Sequence, residues 1–123
     1  MMIENNHIKQ IEGEDRRRWF SDEYFDLIVW EDTNGAIVKF ELCYDKEKDE
    51  HALTWDRPDN HLHLKVDDGE GRLGRHKMTP VLFADGSFDT RALGAKFNEA
   101  GRNIDRNVAD FIYSKIISYK NNR

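Results

Sequence analysis

The stretch from Tyr24 to Tyr44 restricts the fold of this chain more than any other feature. Two β-rich runs, Tyr24–Glu31 and Ala36–Tyr44, are separated by Asp32-Thr33-Asn34-Gly35. Asn-Gly tolerates the positive φ that a tight hairpin demands. With the turn centred on Asn34-Gly35, Val29 faces Phe40, Leu27 faces Leu42 and Phe25 faces Tyr44, so one face is apolar throughout. The other face pairs Trp30 with Lys39, Ile28 with Glu41 and Asp26 with Cys43. A one-residue slip would mix the two faces, so the hydrophobic pattern specifies the register. The chain therefore needs an antiparallel sheet with a buried face, and other elements must cover that face.

A second hairpin follows the charged connection Asp45–Glu50. Its strands are His51–Asp56 and His61–Val66, joined by Arg57-Pro58-Asp59-Asn60, with Pro suited to position i+1 of a type I turn. A four-residue loop predicts Trp55 opposite Leu62, Leu53 opposite Leu64 and His51 opposite Val66 on the core face. Asp56 then pairs with His61, and Thr54 with His63, on the outer face. Asp67–Thr79, rich in glycine and charge, reads as a loop. Pro80–Ala84 reads as a further strand that ends at Asp85-Gly86. Arg16–Phe20 reads as a strand leading into the first hairpin, the competing reading being a helical turn over Asp15–Tyr24.

Helical spacing appears only after residue 86. Asp89 or Thr90 can cap a short helix that carries Leu93 and Phe97 and closes near Gly101. Asn103 can cap a second helix, with Asp105 in its first turn. Its apolar stripe is Ile104, Val108, Phe111, Ile112 and Ile116. The predicted fold is α+β: an antiparallel β-meander of about five strands, then two C-terminal helices packed on one face. Its core face carries Phe25, Leu27, Val29, Val38, Phe40 and Leu42 from the first hairpin, and Leu53, Trp55, Leu62 and Leu64 from the second. At 123 residues the chain fits one domain spanning 1–123.

Cys43 is the single cysteine, which excludes an internal disulfide and a cysteine-rich zinc site. No apolar run approaches the length of a membrane span, and the first residues lack the pattern of a secretory signal. These features lead us to expect a cytoplasmic protein with no membrane partner. Net charge is −5, unevenly spread: residues 1–86 carry 12 Lys/Arg against 20 Asp/Glu, and residues 87–123 carry seven against four. An acidic sheet region argues against nucleic-acid binding, which needs a basic surface.

Gly69-x-Gly71-x-x-Gly74 matches the spacing of a dinucleotide-binding loop. That chemistry needs a helix opening at the third glycine, and Arg75–Pro80 leaves no room for one. What survives is an anion site made by Arg72, Arg75 and Lys77, with His76 and the glycine amides nearby. The competing reading is a solvated loop. His61-x-His63 sets two imidazoles on one strand face, and the predicted register adds Asp56. Two histidines and a carboxylate on one face can hold a divalent metal. The stretch His61–Gly74 resembles the first metal motif of cupin barrels, which implies a barrel with a bound metal. It departs from that motif in having Asp67 for Glu and Trp55 where a glycine is expected, and no second motif follows. Cys43 has no activating base beside it.

Trp30 falls on the outer face beside Ile28 and Lys39. An exposed Trp–Ile pair is suited to anchoring a partner, unless the N-terminal segment covers it. The leading expectation is therefore a non-enzymatic protein-binding or regulatory module that contacts a protein partner, or a second copy, through Trp30, Ile28 and Lys39. The alternative is a metal-dependent or small-molecule enzyme built on Asp56, His61 and His63.

Overall fold

The computed structural model describes residues 1–67, 77–80 and 88–119. Among these residues seven strands form one antiparallel meander in chain order: β1 (Ile3–Asn5), β2 (Arg16–Ser21), β3 (Phe25–Glu31), β4 (Ile37–Tyr44), β5 (His51–Asp56), β6 (Asn60–Asp67) and β7 (Lys77–Pro80). Two helices follow, α1 (Thr90–Ala100) and α2 (Arg106–Ser118). The α+β architecture expected from the sequence is the one observed. It is neither a βαβ unit nor the barrel that the cupin resemblance implies, because consecutive strands pair throughout and β1 and β7 lie at the two edges.

The β3–β4 hairpin has the expected register, with Val29, Leu27 and Phe25 opposite Phe40, Leu42 and Tyr44. Its turn differs in detail. The Asp32 carboxylate accepts from the amides of Asn34 (2.9 Å) and Ala36 (3.0 Å), and Gly35 alone takes positive φ, at 83°. A bulge between Trp30 and Glu31 absorbs the extra residue. The chain thus uses an Asp-braced turn followed by a left-handed glycine, which does not require Asn34 to be left-handed.

At the other end of the meander the predicted register is wrong by one residue. Asp56 pairs with Asn60, Trp55 with His61 and Leu53 with His63, so the loop is Arg57-Pro58-Asp59. The Trp55 indole donates to Asp59 Oδ1 at 2.7 Å, which holds the shorter loop against the core. Side chains alternate along a strand, so this one-residue change turns all of β6 over. His61 and His63 point to the helix side, and Leu62 is 56% exposed on the other face. Leu64, paired with Ala52, is also absent from the helix-side core.

β7 begins at Lys77, inside the stretch read as loop, and meets the expected Pro80–Ala84 strand only at Pro80. Residues 81–84 lie outside the described residues. The expected strand over Arg16–Phe20 is β2. β1 was not foreseen, and it forms the sheet edge beyond β2. Past Asn5 the Gln10 side chain takes over that edge. Its amide donates to Arg17 O and accepts from Arg17 N, both at 2.8 Å, which closes a stretch of open strand edge.

The helices cover one sheet face. Asp89 caps α1, accepting from Ala92 N at 3.0 Å, and Gly101 closes it. Asp105, rather than Asn103, caps α2. Leu93 and Phe97 from α1, and Val108, Ile112 and Ile116 from α2, enter one core with Phe20, Phe25, Leu27, Val29, Phe40 and Leu42. Phe111 packs edge-on against both Phe40 and Trp55. Arg18 pins α2 to the sheet. It makes two 2.9 Å bonds to Glu4 and one of 3.2 Å to each of Glu31 and the capping Asp105. Those carboxylates, Glu4 foremost, raise the guanidinium pKa further.

Candidate functional site

Two regions bear on function, one on each face of the sheet. On the face away from the helices, the cross-strand rows read Arg17–Trp30–Lys39–Asp56 and Trp19–Ile28–Glu41–Thr54–Leu62. The structure thus sets Trp30, Ile28 and Lys39 side by side and adds Trp19 from β2. Lys39 Nζ lies 4.7 Å from the centre of the Trp30 ring. Trp19 donates its indole N–H to Asp26 at 3.3 Å. Trp19, Ile28 and Trp30 are all half-buried. Residues 3–5 extend the sheet edge rather than crossing this face, and Ile3 is 73% exposed.

Cys43 lies on the same face, buried with Ala52 and Val66. Burial first, then the negative charges of Glu50, Glu41 and Asp26, push its thiol up to about 12. It stays a protonated thiol at neutral pH and is no nucleophile.

The proposed metal set does not assemble. Asp56 is exposed on the outer face, whereas His61 and His63 are on the helix side. No cluster of three potential metal-ligating His, Cys, Asp or Glu side chains occurs among the described residues. A divalent metal therefore does not fit this set. Of the anion-site residues, Arg72 and Arg75 lie outside the described residues, and Lys77 opens β7 opposite Asp67.

The histidines instead join a cluster of rings that the sequence did not reveal. Tyr44 Oη and His63 Nε2 share a hydrogen bond of 2.6 Å. The His51 ring stacks on His63 with centroids 5.1 Å apart and planes 6° from parallel. Phe88 stacks on His63 at 4.4 Å. His51 Nδ1 donates to the Asp49 carbonyl at 2.8 Å, a bond that fixes its tautomer. His61 lies against Tyr119 at 5.4 Å, and desolvation lowers its pKa. Burial raises the pKa of Tyr44, so its phenol keeps its proton and can donate to His63.

Beside this cluster a groove runs between α1 and the end of the sheet where Tyr24 leads into β3 and Tyr44 closes β4. It holds two cavities of about 320 and 220 Å³ that share Tyr24 and Lys96. Lys96 Nζ sits 4.3 Å over the Tyr24 ring. Sequence reasoning missed this groove because Tyr24 and Lys96 are far apart in the chain and neither belongs to a motif. The one available signal was Tyr44, a hydroxyl-bearing ring on a face otherwise read as apolar.

No protein-family model matches the chain, and no curated protein or solved structure is significantly similar to it. Among the described residues, no helix is long and apolar enough to cross a membrane.

Proposed function

We propose that this domain is a non-enzymatic binding module that receives a protein partner on the sheet face around Trp30, Ile28 and Lys39. The observation that carries the reading is the contiguous patch of Trp19, Ile28 and Trp30 on the face opposite both helices. Two half-buried indoles supply large contact area at small entropic cost, and tryptophan is enriched among residues that dominate binding energy. The patch is edged by both signs of charge: Arg17 and Lys39 against Asp26, Glu41 and Asp56. A two-fold pairing can set such a face against itself with opposite charges apposed, which makes a second copy the simplest partner. The acidic excess of residues 1–86 supports a partner other than nucleic acid. A reducing, cytoplasmic setting suits a single buried cysteine held as the thiol.

Light scattering over a range of concentrations, on wild type and on Trp30→Ala, tests the proposal. The expected result is association in wild type that is lost in a folded Trp30→Ala variant. Monomers in both, with no Trp30-dependent capture of a protein from cell extract, would overturn it.

A further inference from the structure

We propose that the groove between α1 and the sheet end formed by Tyr24 and Tyr44 binds a small organic monocarboxylate with a flat, apolar body. Most polar groups of the groove already have partners, the Met1 ammonium with Asp22 at 3.6 Å among them. Asp22 accepts from the amides of Tyr24 (2.8 Å) and Phe25 (2.7 Å). Asp89 caps α1 through Ala92 N, and Glu99 pairs with Arg102 at 3.4 Å. The Tyr44 hydroxyl is engaged by His63. Lys96 differs. It lines both cavities, and its one partner is the face of the Tyr24 ring, with no acceptor among the described residues. An ammonium resting on a ring keeps its hydrogen-bond donors available to an anion.

The rest of the lining selects the body of the ligand. Phe25, Phe88 and Leu93 give apolar walls, and Tyr24 and Tyr44 give aromatic faces. The cavity of about 320 Å³ lies at the small end of ligand sites and its neighbour of about 220 Å³ below it, enough for one ring and a short chain but not for a nucleotide. Phosphate is disfavoured as the anion. The N-terminus of α1, the natural phosphate cradle, is already occupied by the Asp89 carboxylate, whose charge repels a dianion. With the Met1 ammonium paired to Asp22, the point charge left at Lys96 matches one carboxylate.

The test is a titration of the full ¹⁵N-labelled chain with 3-phenylpropanoate and with its neutral counterpart, 3-phenylpropanamide. The expected result is saturable shifts at Tyr24, Ala92 and Lys96, with a Kd of about 0.1–1 mM for so small a ligand. The amide should bind about five- to tenfold more weakly, Lys96→Gln should lose a similar factor, and Lys96→Arg should stay within about twofold of wild type. Lys96 is exposed, so neither substitution should disturb the fold, and the dispersion of the spectra verifies this directly. Equal binding of acid and amide, unchanged affinity in Lys96→Gln, shifts confined to another surface, or no saturation at tens of millimolar would each overturn the proposal.

Discussion

The orientation of β6 yields the sharpest prediction, because the two possible registers assign opposite costs to adjacent residues. His63 is 8% exposed, whereas Leu62 is 56% exposed. His63→Ala removes the 2.6 Å bond to Tyr44 and leaves a phenol in a site that burial has already desolvated. An orphaned buried hydroxyl costs about 1–3 kcal/mol. Loss of ring stacking on His51 and Phe88 adds about 0.5–1.5 kcal/mol. The expected destabilisation is therefore about 2–4 kcal/mol, comparable to a large-to-small core substitution. Leu62→Ala should change stability by less than about 0.5 kcal/mol, as at ordinary surface positions. In urea unfolding, read by far-ultraviolet circular dichroism and tryptophan fluorescence, His63→Ala should lower the midpoint by about 1–2 M while Leu62→Ala leaves it in place. A double-mutant cycle of Tyr44→Phe with His63→Ala should show coupling above about 0.5 kcal/mol. The reverse outcome, a costly Leu62→Ala and a neutral His63→Ala, would refute the register and restore the four-residue loop.

Leu27→Ala and Phe40→Ala remove fully buried side chains beneath the helices and should each cost about 2–5 kcal/mol in the same assay; near-neutral midpoints would contradict the assigned core face. His61 has its pKa lowered, mainly by desolvation, so the unfolded chain binds its proton more readily than the folded one. Its contribution is complete above the ordinary value of 6.5, and is lost as pH falls through 6.5 toward the lowered folded value. Stability measured between pH 7 and 5 should fall toward acid, and His61→Asn should flatten that slope; a slope unchanged in His61→Asn would show that other groups set it. No nucleic-acid affinity is expected at physiological salt, and a salt-sensitive shift of DNA or RNA in a gel titration would contradict this.

The first hairpin was legible in the sequence because two independent constraints agree. Asn34-Gly35 marks the turn, and the alternation from Phe25 to Val29 and from Phe40 to Tyr44 sets the faces. Even a wrong detail at the turn did no harm, since the bulge at Trp30/Glu31 preserves the pairing beyond it. The helices were legible for a similar reason. A capping side chain and an apolar stripe mark each one, and choosing Asn103 instead of Asp105 shifts a boundary without moving a face. β6 had no such agreement. Leu62, Leu64 and Val66 alternate as a core strand should, and three- and four-residue loops are both allowed for a hairpin. The pattern chose the wrong loop, and the error moved every side chain of the strand to the opposite face.

That error also accounts for the misplaced functional site. Apolar patterning ranks imidazole as a surface group, and it does so because an unpartnered polar ring is costly to bury. It cannot anticipate that the partner will come from another strand. Here Tyr44, on β4, lies beyond β5 from His63, and its hydroxyl reaches the imidazole across the strand between them. With that bond made, and with His51 and Phe88 lying flat against the ring, the histidine packs as an aromatic side chain. The displaced leucines change the other face in turn. Leu62 stands in the same cross-strand row as Trp19 and Ile28, so the register that dismantles the metal set also makes the opposite face more apolar. The register of β6 thus links the two candidate sites. It sets both histidines on the helix side, His63 beside the ring cluster next to the α1 groove, and adds a leucine to the face proposed to meet a partner.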